Sequence, residues 1–521
     1  MIEGLRSRAA PLRMRPQMLV AADPRLPRAA PAGSSAIVVG GGIAGVSAAV
    51  VLAERGVAVT LLEAADHLGG RLGAWPHTLP DGTEQAVEHG FHAFFRHYYT
   101  WRDVLRRADP KLGFLRPVDG YPIICRQWPD EDITGLPVAP PRSLLALFAR
   151  SPSLLLSDLV GADIGLGLEL LAYDRSRTTA ALDDMSAADF LKGLGISDRA
   201  QAMLFEAFAR SFFCNQRELS AGELVAMFHY YFLGNPEGIG FDAPDTDYLE
   251  CIWRPLATYL RRHGAQVRTG VAVRRLVPGA DHGWRVELEG EDTESLTTRH
   301  VVLAVDPAAM RTLLAGSPRA RRVAPRLGAQ ADGLRIAPPF AVTRLWLDRD
   351  VAPERATFSA VTREPTLDSV TCYHRLERPS AEWAARTGGS VVELHSYSCD
   401  AADVDAATAR MRAELTALWP ETAAAQVLHQ QQRWEATAPA FPPGGAGTRP
   451  EVRTDARGVR VAGDYVELPF CTGLMERAAA SGVMAANDIL AELGAGPEPI
   501  RGIPQRGLLA GLRSGRRVSP R

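Results

Sequence analysis

The stretch AIVVGGGIAGVSAAVVLAERGVAVTLLEAAD, residues 36–66, decides the fold. Ile37 to Val39 reads as a short buried strand. Val46 to Arg55 spaces its apolar residues as a helix does, and Val57 to Leu62 reads as a second strand. Strand, glycine turn, helix and strand make a βαβ unit of the doubly wound kind. The turn Gly40-Gly41-Gly42-Ile43-Ala44-Gly45 is a G-x-G-x-x-G. Its glycines permit a tight turn, close approach of backbone to a pyrophosphate, and close packing of helix on strand. Gly42 to Gly45, Ala44 included, open the helix, whose unpaired N–H groups face the phosphates. Glu63 ends the second strand 18 residues after Gly45, where a carboxylate accepts from ribose hydroxyls. The unit is expected to bind a dinucleotide.

The residues that follow indicate which one. HLGGRLG, residues 67–73, adds a second glycine pair and an arginine directly after the ribose-binding acid. Flavoprotein oxidoreductases carry this addition and NAD dehydrogenases do not need it. Gly70 and Arg71 then serve phosphate or the carbonyl edge of a flavin, the guanidinium presenting a fork of donors. About 400 residues later, Gly463-Asp464 closes a strand, its carboxylate expected at the ribityl or phosphate region. Met475-Glu476-Arg477 opens the last helix, whose N-terminal dipole favours an anionic reduced flavin. FAD is the expected cofactor.

The rest of the chain frames this unit. At 521 residues it exceeds what one hydrophobic core usually serves. With 46% hydrophobic and 23% charged residues it is ordinary globular protein, and a net charge of −2 gives no pull toward nucleic acid. Strands are expected in VRTGVAVRRLV from Val267, HGWRVELEG from His282, HVVLAVDP from His300 and GVRVAGD from Gly458. A leucine- and phenylalanine-rich block spans residues 115–259. A second block, 317–450, mixes strands (FAVTRLWLD, SVVELHSY) with an alanine-rich helix near 401–419. The expected fold is α/β. A discontinuous FAD-binding, Rossmann-like domain takes residues 34–114, 260–316 and 451–495, and a mixed α+β substrate domain takes 115–259 and 317–450. Residues 1–33 and 496–521 are expected to be disordered basic tails, each with six arginines. Six scattered cysteines with no CxxC fit a reducing cytosol and give no zinc or disulfide framework. No signal-peptide core and no spanning stretch of apolar residues is present. The basic tails and the apolar segment from Ser143, interrupted by Pro152, Asp158 and Asp163, suit peripheral contact with the inner face of a cell membrane.

Across nearly the whole chain these motifs resemble the flavin amine-oxidase and phytoene-desaturase superfamily. The resemblance places a backbone contact to adenine at Val273. Amine oxidases of that superfamily bring a substrate-domain lysine to the flavin. This chain's only lysines, Lys111 and Lys192, precede the strand of Val273 and stand on the wrong side for that role. EHGFHAFF from Glu88, SFFCNQRELSAGELVAMFHYYFLGNPEGIGFD from Ser211 and GLMERAAASG from Gly473 look like the β-carotene desaturase/methyltransferase family, the isorenieratene synthases. That family turns a β-ionone ring into an aromatic ring. The resemblance implies an apolar carotenoid substrate, His89 and Gly90 against the flavin, and His92 and Phe94 toward the substrate ring. An acyclic-polyene desaturase or isomerase and a flavin amine oxidase are the alternatives.

The implied reaction removes a hydride from the ring, migrates a methyl group, releases a proton and oxidises once more. Its demands on the protein are placement, exclusion of water and no nucleophile beside the cation. Phe91, Phe94, Phe95, Phe212, Phe213, Tyr230, Tyr231 and Phe232 are expected lining, since aromatic faces stabilise a cation. His92, Glu237 and Asp242 are the expected proton acceptors. His89, His92 and His97 lack a completing set of Cys, Asp or Glu, so no metal is expected. The acceptor of the flavin's electrons is not legible in the sequence.

Overall fold

The computed structural model describes residues 15–511, apart from 139, 141, 155–157, 159–162 and 291–293. At its centre a five-stranded parallel sheet is ordered Gln266–Arg268, Ala58–Leu62, Ser35–Val39, His300–Leu303, Val459–Val461. The helix Ile43–Glu54 follows the middle strand and is buried from Ile43 to Ala53. A helix apolar all round must be covered all round, and the final helix Leu474–Glu492 packs against it. The parallel strands end together, so Gly40, Glu63, Ala304 and Gly463 meet at the carboxyl edge, where open α/β sheets bind ligands.

The run from Val267 is not one strand. Gly270 takes φ +70°, and its N–H donates to the Ala65 carbonyl. That turn splits the run into Gln266–Arg268, which joins the parallel sheet, and Val273–Pro278. The second piece opens an antiparallel meander with Trp284–Leu288 and Ser295–Thr298.

A seven-stranded, largely antiparallel sheet forms the other layer. Its order is Val427–Glu435, Phe340–Leu347, Ser390–Ser396, Ser369–Cys372, Phe358–Val361, Pro122–Ile124, Glu131–Asp132. Phe340–Leu347 and Ser390–Ser396 are buried at every residue, as central strands covered on both faces must be. The helix Val404–Leu418 packs on it. The fold is therefore α/β, a parallel nucleotide-binding sheet joined to a mixed α+β part.

The expectation of disordered tails does not hold where the termini are described. Gln17–Val20 pairs antiparallel with Ile500–Gly502, and the Asn487 side chain exchanges two hydrogen bonds with the backbone of Glu498. Backbone pairing with a buried Ile500 outweighs the polar composition that suggested disorder. Residues 1–14 and 512–521 lie outside the described residues.

Candidate active site

One cavity of about 1210 Å³ is lined both by the glycine turn and by the aromatic interior of the second layer. Single small-molecule pockets run to about 300–1,000 Å³, so this one has room for a dinucleotide and a second apolar ligand. Gly40, Gly42, Ala44, Glu63, Gly70, Arg71, Val273, Gly463, Asp464 and Met475 all line it. Gly40 has φ +105°, and a Cβ there would collide with the Ala304 carbonyl. Gly45 lies outside the lining, and its Cβ would overlap the Gly40 carbonyl, so it serves helix–strand packing. Gly42 differs, because a Cβ there meets nothing closer than 3.8 Å. It also caps the helix without any side-chain hydrogen bond, leaving first-turn N–H groups for a ligand. Glu63 accepts from Gly41 N–H (2.6 Å) and Ala65 N–H (2.8 Å), which fixes its carboxylate at the strand end.

These residues fit a flavin dinucleotide. Arg71 Nη2 donates to Asp464 Oδ1 at 2.7 Å, tying two motifs 393 residues apart. Burial opposes the Arg71 charge, but Asp464, with Asp306 and Glu435, outweighs it and holds the guanidinium protonated. Glu476, expected at the cofactor, is turned elsewhere. Its carboxylate accepts from Thr100 N–H (2.8 Å) and Trp101 N–H (2.9 Å), capping the helix Tyr99–Ala108. Burial pushes Glu476 up to about 8 against those bonds. The helix start leaves Leu474 and Met475 facing the cavity, not the acid.

The EHGFHAFF stretch crosses from one layer to the other. Glu88 accepts from Arg344 Nη2 at 3.1 Å, and Phe91 N–H donates to Glu393 Oε1 at 2.7 Å. Gly90, at φ +128°, lies over the His395 ring, where a Cβ would come within 2.9 Å. Gly90 is therefore close-packed on a side chain and is not part of the lining. His89 lines the cavity with Nδ1 2.8 Å from Glu435 Oε1. His92 also lines it, and its Nδ1–H donates to Gly90 O at 2.9 Å. Burial drives His92 down to about 4, so its ring is neutral with a bare Nε2.

Glu237 and Asp242, the other expected proton acceptors, do not reach the cavity. Glu237 accepts from Tyr99 Oη–H at 2.9 Å. Asp242 accepts from Arg102 Nη1 at 2.7 Å and Arg96 Nε at 3.2 Å. Each carboxylate is occupied by a partner distant in sequence. Among the expected aromatics, Phe91, Phe95, Phe212, Phe213, Tyr231 and Phe232 line the cavity. Phe94 and Tyr230 are buried in the core instead. Alternation sends Phe94 inward in its strand. Tyr230 to Phe232 sit in a π-helical turn, His229–Leu233, that presents neighbouring rings to different sides. His395 and Asp368 also line the cavity, and nothing in their local sequence distinguishes them. Lys111 and Lys192 are exposed and lie outside the lining. Among the described residues no group of three or more His, Cys, Asp or Glu is placed to hold a metal ion.

Comparison with known proteins agrees with this geometry. The sequence profile of the family described as flavin containing amine oxidoreductase matches residues 43–490. The chain is 43% identical over 480 residues to a carotenoid phi-ring synthase of Streptomyces griseus, covering 91% of each chain. It is 26% identical, again over 91% of each, to a carotenoid phi-ring synthase of Chlorobaculum tepidum. The fold resembles the solved structure of cyclohexylamine oxidase from Brevibacterium oxydans, with a TM-score of 0.64 at 16% identity over 88% of this chain and 99% of that one.

Proposed function

The chain belongs to the flavin-containing amine oxidoreductase family, and from that premise we propose that it is an FAD-dependent carotenoid desaturase/methyltransferase that converts the β-ionone ring of β-carotene into an aromatic ring. The observation that carries this reading is the 43% identity, over 91% of both chains, to a carotenoid phi-ring synthase. The cavity chemistry supports it, because its wall is aromatic and neither lysine lines it.

Bound flavin supplies the hydride acceptor for each of the two oxidations a ring requires. The residues around it do the rest. Gly42 and the free first turn of its helix receive the pyrophosphate, Glu63 the ribose, and Arg71 with Asp464 the flavin side. Phe91, Phe95, Tyr231 and Phe232 hold the ring, exclude water and offer π faces to the cation while the methyl group moves. Neutral His92 keeps positive charge away from that cation.

The carotenoid reaches the cavity from a membrane through the helices Arg142–Arg150 and Ile164–Leu171. Leu147, Phe148, Leu168 and Leu171 line the cavity there, while Leu145 and Phe148 are 67% and 46% exposed. Arg142 and Arg150 flank these apolar residues and suit anionic headgroups. No helix among the described residues is long and apolar enough to cross a membrane. Incubating the purified flavoprotein with β-carotene and an electron acceptor tests the proposal: an aromatic-ring product supports it, and acyclic desaturation alone or peroxide release from amines contradicts it.

A further inference from the structure

On the strand Ser390–Ser396, Glu393 and His395 stand two residues apart on one face, with Arg344 and Val342 opposite them on Phe340–Leu347. His395 Nε2 is 2.6 Å from Glu393 Oε1. The same oxygen accepts from Phe91 N–H, and Glu393 Oε2 accepts from Arg344 Nε at 2.8 Å. Glu393 is thus pinned from three sides. Burial would raise its carboxyl, but Arg344, His395 and the Phe91 amide outweigh burial and hold it at about 2. A permanently ionised Glu393 fixes His395 with its proton on Nε2 and leaves Nδ1 bare. That Nδ1 has no hydrogen-bond partner among the described residues, and the ring lines the cavity. Imidazole hydrogen-bonded to a buried carboxylate is how proteins build a general base.

Building on the proposed ring aromatisation, we infer that His395 is the catalytic base of the reaction and that Glu393, locked by Arg344, is its positioning residue. After hydride loss and methyl migration, a ring C–H bond of the substrate cation breaks. Its electron pair becomes the new ring double bond, and the proton passes to His395 Nδ1. This step is redox-neutral, since the electrons left with the hydride. The imidazolium that forms sits beside the Glu393 carboxylate, which stabilises it. His92 lacks such a partner, because its Nδ1 donates to a backbone carbonyl and burial keeps it a weak base.

The groups facing His395 are few. Glu393 lies on its own strand and Arg344 on the next. His92 approaches from the EHGFHAFF stretch. Asp368, whose N–H donates to His395 O at 2.7 Å, and the Tyr397 ring complete its surroundings. Of these only Glu393 is hydrogen-bonded to the imidazole.

The test compares wild type, His395→Gln and Glu393→Gln as flavin-loaded protein with β-carotene. H395Q keeps a donor for Glu393, so it is expected to bind flavin with an unchanged spectrum and to form aromatic product at least about 100-fold more slowly. E393Q removes the carboxylate that sets the imidazole tautomer and is expected to slow product formation at least about tenfold with its flavin spectrum unchanged. Imidazole ¹⁵N shifts of wild-type holoenzyme, with H395Q to assign the signal, are expected to show Nε2–H and bare Nδ1. Turnover of H395Q within about threefold of wild type, or the opposite tautomer, overturns the inference while leaving the proposed activity standing. Wild type that leaves β-carotene unchanged overturns both.

Discussion

Arg71 lines the cavity already clamped by Asp464, so its guanidinium is preorganised for the flavin contact proposed above. Arg71→Ala removes charge-assisted bonds worth about 1.5–3 kcal/mol and should weaken flavin binding about 10- to 100-fold, read as bound flavin per protein after dialysis. Asp464→Asn keeps the shape but loses the charge and should cost less than R71A in the same assay. The sequence places Arg71, Asp464, Gly42 and Glu63 at one cavity because short motifs fix their neighbours. Glu237, Asp242 and Glu476 were misplaced in the sequence because a carboxylate's role depends on what it faces. Arg102, Tyr99 and the Thr100 amide are 140, 138 and 376 residues from those acids, distances no local pattern encodes. His395 was invisible for the same reason, its meaning coming from Glu393, Arg344 and the Gly90 backbone together.

At the scale of elements, the glycine turn separates folding from binding. Gly42→Val places a side chain into open cavity, with φ −77° that valine accepts. The variant should fold with a near-normal melting temperature yet hold little flavin. Gly45→Val drives a side chain into the Gly40 carbonyl and should destabilise the protein by about 1–3 kcal/mol or more, with flavin lost as a consequence. A second element-level device is the charge cluster under the EHGFHAFF stretch. Arg344 Nη1 lies 3.6 Å from Glu377 Oε1 at the start of the helix Arg378–Thr387, and Arg344 also pairs with Glu88 and Glu393. Burial, opposed by Arg344 and the Ser380 hydroxyl, raises Glu377 from 4.5 to about 7. A carboxyl raised by folding contributes stability that is fully present below about 4.5 and lost as pH climbs through about 7. Glu377→Gln should therefore gain melting temperature relative to wild type as pH rises across that window, read by paired thermal melts. The βαβ unit was legible because strand, turn and helix are contiguous. The π-helical turn that sorts Tyr230 from Tyr231 was not, since one inserted residue per turn leaves no periodic trace.

At the scale of the molecule, a parallel sheet built from three distant segments meets a mixed sheet, and one cavity is lined by both. The layout followed from matching buried strands to glycine turns. The paired termini did not, because arginine-rich composition masks the short strands Gln17–Val20 and Ile500–Gly502. If the helix Arg142–Arg150 meets the bilayer, Leu145→Asp with Phe148→Asp should slow conversion of β-carotene in anionic vesicles about tenfold while leaving flavin content and detergent-solubilised turnover unchanged. Flavin-dependent aromatisation of a carotenoid ring is read from the mass and absorption spectrum of the product when purified holoprotein is given β-carotene and an electron acceptor. The product should keep every carbon and lose four hydrogens for each ring converted, with an aryl end group. An intact β-ring after full flavin turnover, or a product desaturated only along an acyclic chain, would contradict it.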